Sequence, residues 1–226
     1  MRSEMDATES MPLPLHSILR SARLKHFPKS QIVLYKDDVP SDVYVIKSGM
    51  VKLYDIDDQG NEKILHIVKS PSLLPFPFFS GVVKHVSWFY VTLTDCEMYV
   101  LPKAKLQHAI YADSSLAIFL KNAFSADIHE LLVRLSSLGK TNARNKLCAA
   151  LRFLLVCHSE PQQSGWCRVL FPVNHQLLAD LSGITRESTA MAMKELQDKR
   201  VVRSPKLTVL EIDRNQLTSL YGGFDH

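Results

Sequence analysis

The chain has 226 residues, 46 % of them hydrophobic and 22 % charged, enough apolar material for one large or two small cores and too much for a disordered chain. Net charge is only +4, but from Thr141 onward eleven Lys+Arg stand against eight Asp+Glu, compared with 16 against 15 before it. No run approaches the roughly 18 apolar residues of a membrane span, no secretory pattern is visible, and four scattered cysteines make no disulfide framework. A cytoplasmic protein with no membrane partner is expected.

Residues 31–101 read as β structure. Segments 31–35, 43–47, 51–55 and 63–68 are short, rich in Val, Ile and Tyr, and separated by turn residues such as Asp37-Asp38, Ser48-Gly49 and the run 57–61. Segments 88–94 and 97–101 continue the series after a stretch loaded with Pro and Phe at 71–83. Many short strands at this spacing predict a sandwich or barrel. At Pro102 the pattern turns helical, with a short helix over 103–111. A longer one, capped by Asp113 or Ser114, runs to about Leu138. Leu120, Phe124, Ile128, Leu131, Leu135 and Leu138 repeat along it every three or four residues, as in a coiled-coil seam. A second stripe, Leu116, Phe119 and Ala123, suggests one face turned inward and one toward a partner subunit.

Residues 136–140 should break the helix at Gly139, and Thr141 or Asn142 then caps a helix over 143–157. A strand at 166–171, helices at 174–181 and 185–199, and strands at 201–203 and 207–212 complete the reading. Catalytic signatures fail on inspection. Gly139-Lys140-Thr141 lacks the glycine that a phosphate-binding loop needs at the place of Arg134. His129-Glu130 lacks its second histidine, since Val133 stands there. No zinc knuckle, dinucleotide fingerprint or nucleophile elbow is present in the sequence. No catalytic residue, metal site or cofactor is expected.

One segment carries a signal. Asn174 can cap a helix with Leu177, Leu178 and Leu181 inward, and Ser182-Gly183-Ile184 makes a tight turn. Thr185 caps a second helix with Ala192 and Leu196 inward and Arg186, Glu187, Thr189, Ala190 and Lys194 outward. Two helices joined by a short glycine turn form a helix-turn-helix, whose second helix offers its first residues to base edges in the major groove. The strands that follow supply a β-wing.

The run 183–189, Gly-Ile-Thr-Arg-Glu-Ser-Thr, closely resembles the recognition-helix entry of the cyclic-AMP receptor / fumarate-nitrate regulator (Crp/Fnr) superfamily of bacterial transcription regulators. Residues 42–53 resemble that family's β-roll segment with its glycine turn, and 142–147 followed by Phe153-Leu154-Leu155 resemble the first helix of its winged domain. The resemblance implies an α+β architecture: a double-stranded β-helix (β-roll) sensor over 1–112, a dimerisation helix and hinge over 113–139, and a winged helix-turn-helix over 140–226. It implies a homodimer seamed by Leu120, Phe124, Ile128, Leu131 and Leu135, bound to a pseudo-palindromic duplex DNA operator, with RNA polymerase as a further partner.

Carried over residue by residue, Arg186 and Glu187 would read bases, an Arg fork matching guanine and a carboxylate accepting from cytosine. Thr185 and Thr189 would touch phosphate or a thymine methyl, with Ala190 beside them, Lys194 would attract phosphate, and His175 matches a phosphate contact of the family. Four residues after Glu187, where many relatives place a second base-reading Arg, stands Met191, so the operator is expected to differ there.

The sensor half departs further. Where cyclic-AMP-binding members hold ribose and phosphate with an acid and an arginine, this chain has Phe76 and Val86. It also lacks the N-terminal cysteine cluster of the iron-sulfur members, and His66, His85 and Cys96 belong to no haem motif. An effector pocket would be apolar, built from Phe76, Phe78, Val86, Trp88 and Tyr90 with Leu73, Leu74 and Phe79 nearby. His129 and Glu130, on the long helix, match family positions that reach the ligand. A small-molecule effector, if used, is therefore expected not to be a cyclic nucleotide. Two other readings are a cupin-like β-barrel metalloenzyme, which needs a His-x-His pair absent from the sequence, and an effector-independent regulator whose β-roll is only scaffold.

Overall fold

The computed structural model describes residues 11–75, 83–135 and 142–221. The predicted glycine break at Gly139 and the pocket candidates Phe76, Phe78 and Phe79 lie outside the described residues. The chain divides into two compact units, Met1–Asp57 with Ile64–Ala126, and Asp58–Lys63 with Asp127–His226.

Eight strands among the described residues build the β-roll: β1 (Arg23–Phe27), β2 (Ile32–Leu34), β3 (Asp42–Ser48), β4 (Met50–Ile56), β5 (Glu62–Lys69), β6 (Ser72–Leu74), β7 (Phe89–Thr92) and β8 (Cys96–Pro102). They form two four-stranded sheets, ordered β1-β8-β3-β6 and β2-β7-β4-β5. The first sheet is apolar on both faces, and the period of two along each strand assigns its side chains. Ile46, Leu74, Met98 and Val100 turn into the roll, where they meet Leu34, Val51, Leu53 and Tyr90 of the second sheet. Their neighbours Val43, Val45, Leu73, Tyr99 and Leu101 turn outward onto a helical layer containing Leu15, Ile18 and Leu19. That layer comprises α1 (His16–Leu19), α2 (Lys103–Ala112) and the start of α3 (Ser114–Leu135).

Strands β1 and β6 were not expected from the sequence. In β1, Arg23, Lys25 and His26 are exposed on an edge strand, so its polar residues hide the strand pattern. Strand β6 is only three residues long.

Asp113 starts α3. Its Oδ1 accepts from the Ser115 hydroxyl at 2.7 Å, the Ser115 N–H at 2.8 Å and the Leu116 N–H at 3.3 Å, hydrogen bonds that, the hydroxyl first, hold its carboxyl below the usual range. The seam expected along α3 needs correction. Leu120 is 5 % exposed and packs with Leu116 in the first unit's own core, and Phe124 and Phe119 lie against the same cluster. Leu116 and Leu120 are thus already covered within one chain, and Phe119 and Phe124 partly so. The apolar residues of α3 that remain exposed are Ile118, Ile128, Leu132 and Leu135, while Leu131 is half-buried. With Lys121 and Ser125, the exposed four follow a regular 3-4 spacing, turned by rather less than one residue from the predicted line. The spacings of four that linked Leu120, Phe124 and Ile128 drift about 40° each around the helix and so mixed inward with outward positions.

In the second unit α4 (Ala143–Cys157) is the central helix, capped by Asn142 as expected, with Leu147, Leu151, Phe153 and Leu154 almost fully buried. Around it lie β9 (Ser159–Pro161), β10 (Trp166–Val169), α5 (His175–Ser182), α6 (Arg186–Asp198), β11 (Val202–Arg203), β12 (Glu211–Asp213) and α7 (Arg214–Tyr221). The strands form one sheet ordered β11-β12-β10-β9.

Candidate nucleic-acid interface

Local sequence builds the two-helix unit. Asn174 Oδ1 accepts from the Leu177 N–H at 2.8 Å and starts α5. The helix stops at Gly183, whose φ of 63° is left-handed and whose N–H donates to the Ala179 carbonyl. Thr185 Oγ1 then accepts from the Ser188 N–H at 3.1 Å and starts α6. Leu177, Leu178, Ala179 and Leu181 of α5, and Ala192, Met193 and Leu196 of α6, are buried. Exposed on α6 are Arg186, Glu187, Met191 and Lys194, followed by Gln197 and Asp198 at its end. Ala190 is half-buried beside them, and His175 is exposed at the start of α5.

Thr189 is a correction. It was expected on the outer face, but it is fully buried and its hydroxyl donates to the Thr185 carbonyl at 3.0 Å. A buried hydroxyl satisfied four residues back along its own helix has nothing left to offer a phosphate or a base.

The wing is shorter than predicted. Val202 pairs with Ile212 and Arg203 with Glu211, while residues 204–210 form a loop. Thr208 has a φ of 66°, which a strand does not tolerate, and Leu207 is 93 % exposed. The Thr208 carbonyl accepts from the Val173 N–H at 2.8 Å, tying the loop to the segment before α5. Between loop and recognition helix lies a groove of about 500 Å³, lined among others by Asn174, His175, Arg186, Met193, Lys206 and Leu207. Lys206 is a residue that sequence reasoning left unassigned. Its only signal was its place in a Pro205-Lys206 turn.

Four other cations of the unit, Arg144, Arg168, Lys199 and Arg203, are engaged in holding its shape. The buried carboxylate of Glu211 accepts from Arg168 Nη2 at 2.8 Å and from Arg203 Nε at 2.7 Å, and the Arg203 guanidinium lies 4.1 Å over the Trp166 ring. Burial pushes the Glu211 carboxyl up, but the two arginines outweigh it and leave it below the usual carboxylate value. Glu195 likewise binds Arg144 at 2.9 Å and Lys199 at 2.6 Å. Arg186, Lys194 and Lys206 make no ion pair among the described residues, so their N–H groups keep their capacity for an external anion. The surface therefore combines a capped helix N-terminus, a groove lined by Arg186 and Lys206, and Glu187 and Lys194 exposed on the same helix. Chemically that is a site for polyanion backbone with room for base-edge contacts.

The end of α3 is fixed to this unit. Arg134 Nη2 donates to the Leu181 carbonyl at 2.8 Å, its guanidinium faces the Phe153 ring, and burial lowers its pKa to about 10. Glu130 Oε2 is 3.8 Å from Nε2 of the fully buried His158. The sensor candidates fall in both units. Val86 and Tyr90 are buried in the roll interior with Trp88 packed against them, whereas His129, exposed, and Glu130 belong to the second unit. Among the described residues no cluster of His, Cys, Asp and Glu could hold a metal ion, and no helix is long and apolar enough to cross a membrane.

Comparison with known proteins gives two family models, a cyclic nucleotide-binding domain over residues 24–113 and a Crp-like helix-turn-helix domain over 145–220. The chain is 24 % identical over 185 residues to the HTH-type transcriptional regulator ArcR of Staphylococcus haemolyticus, spanning 81 % of this chain and 80 % of that one. It is 20 % identical over 214 residues to the cAMP-activated global transcriptional regulator CRP of Haemophilus influenzae, spanning 92 % of each. Among solved structures, FixK2 from Bradyrhizobium japonicum matches with a TM-score of 0.72 at 15 % identity, over 88 % of this chain and 96 % of that one.

Proposed function

The chain belongs to the Crp/Fnr superfamily of DNA-binding transcription regulators, and from that premise we propose that it acts in the cytoplasm as a homodimer on a pseudo-palindromic operator, with RNA polymerase as its protein partner. The reading assigns it no catalytic step. Its parts are a sensor roll over residues 1–112, a dimerisation helix and hinge over 113–139 and a winged DNA-binding domain over 140–226. The observation that carries it is the outer face of α6, where Arg186, Glu187, Met191 and Lys194 project from a capped N-terminus beside the Lys206 groove. Arg186 and Glu187 read base pairs, while Thr185, His175, Lys194 and Lys206 hold phosphate. Dimerisation uses the exposed α3 stripe of Ile118, Ile128, Leu132 and Leu135, with Leu131 at its margin.

Selection from a random duplex pool tests the reading. The expected product is an inverted repeat with half-site centres about 34 Å apart, one helical turn. Arg186→Ala should relax one base pair in each half-site, a loss of roughly 1–3 kcal/mol of discrimination. A variant that weakens every sequence equally would make Arg186 a phosphate contact instead.

For the roll we propose an apolar effector pocket around Val86, Trp88 and Tyr90. A second reading has the roll as pure scaffold, and the burial of Val86 and Tyr90 inside the roll core favours it. A hydrophobic compound that raises operator affinity, and fails to do so with Trp88→Ala, separates the two.

A further inference from the structure

Met191 is 76 % exposed, the one large apolar side chain left uncovered on α6 among the described residues. It follows Glu187 by four residues and precedes Lys194 by three, so all three side chains share one face of the helix. The buried face is filled by Thr189, Ala192, Met193 and Leu196, and Met191 adds nothing to that packing. Lys194 on this face and Arg186 at the start of the helix make no ion pair among the described residues, which fits a polyanion partner, and Met191 is then presented to the floor of a groove whose walls are phosphate.

In the major groove the base edges are read mainly by their donors and acceptors. The C5-methyl of thymine is the one methyl group that the four standard bases expose there. A thioether side chain has no hydrogen to donate and accepts weakly, but it is polarizable and flexible enough to cover a methyl group. We propose that Met191 is a specificity-determining residue that reads a thymine C5-methyl in each half-site. Four helical residues advance about 6 Å, which puts that thymine within about two base pairs of the position read by Glu187. The assignment rests on the DNA-reading function proposed above and adds the base and the atom recognised.

The test uses the full chain and the consensus selected from a random duplex pool, with and without bacterial cell extract. A thymine is expected at one position of each half-site, and selection with Met191→Ala should lose the preference there and keep it elsewhere. On the selected duplex, replacing that thymine by deoxyuridine removes the methyl and leaves the pairing intact. The wild-type chain should then bind about four-fold more weakly per half-site, the factor expected for one methyl group returned to water. Met191→Ala should bind the two duplexes equally. A selected consensus whose affinity ignores the methyl, or a penalty that persists in Met191→Ala, overturns the assignment and leaves DNA reading intact. Failure to enrich any sequence under either condition overturns the DNA-reading function and this assignment with it.

Discussion

A carboxylate at 2 % exposure persists in the wing sheet because two guanidinium groups reach it. Since the folded pKa of Glu211 lies below its ordinary 4.5, its contribution to stability is complete above that pH and disappears as pH falls through the folded value. Urea titrations between about pH 7 and pH 3 should show Glu211→Gln destabilised by roughly 1–3 kcal/mol at neutral pH and lacking part of the wild-type acid loss. An unchanged acid limb would place the sensitivity in other carboxylates. Gly49 is the other residue with a single solution. Its φ is 88°, and a β-carbon there would stand 2.3 Å from the Asp95 carbonyl oxygen and 2.6 Å from Cys96 Sγ. Gly49→Ala should cost at least about 2 kcal/mol, read as a lower thermal midpoint. A midpoint within a degree of wild type would mean that the turn between β3 and β4 relaxes. Thr189 shows the limit of reading single residues from sequence. A Thr one turn after a capping Thr looks like a phosphate ligand until burial shows its hydroxyl bonded back into the helix.

At the scale of elements, what the sequence made legible is what local chemistry decides. The caps Asn142, Asn174 and Thr185 and the Gly183 stop are all read from residue type, and they fall where the side chains accept their N–H groups. Strands β3, β4, β5 and β8 were visible because one face at least alternates cleanly. Strand β1 was not, because an edge strand exposes charge; β9 was missed and β12 misplaced because three residues carry too little pattern. The α3 seam was half legible. Its residues are apolar on two faces, and only the packing of Leu116, Leu120 and Phe124 on the roll's helical layer tells which face is already filled. That distinction makes a prediction. Leu132→Glu should leave the monomer folded and dissociate the dimer in sedimentation, since the carboxylate would be buried only in the pair. Leu120→Glu should instead unfold the first unit, because it places a charge in that unit's own core. A dimer unaffected by Leu132→Glu moves the interface off this stripe.

For the molecule as a whole, the β-roll and the winged unit differ in how far their chemistry follows the family. The winged unit keeps the Arg186-Glu187 pair, whereas the roll matches a cyclic nucleotide-binding domain, and the sequence resemblance puts Phe76 and Val86 where cyclic-AMP-binding members have an acid and an arginine. A cyclic phosphate carries a full negative charge, and its burial needs a cation or several N–H donors to offset desolvation. By the sequence resemblance the position that would supply the cation is Val86, which is 2 % exposed in a core with Tyr90, Met98 and Leu74. No rearrangement of a valine provides that offset. A ligand held at a hundred times its dissociation constant would stabilise the fold by about 2.7 kcal/mol. Cyclic AMP or cyclic GMP at about 1 mM should therefore leave the thermal midpoint unchanged and release no heat in calorimetry, if even a 10 µM site is lacking. A rise of several degrees with either nucleotide would overturn the prediction and require an anion site built from groups other than those at positions 76 and 86. Double mutation of Val86→Arg and Phe76→Glu supplies the complementary measurement: restoring both groups should produce nucleotide-dependent stabilisation if their loss alone closed the site, and none if Tyr90 and Trp88 have filled the space as core.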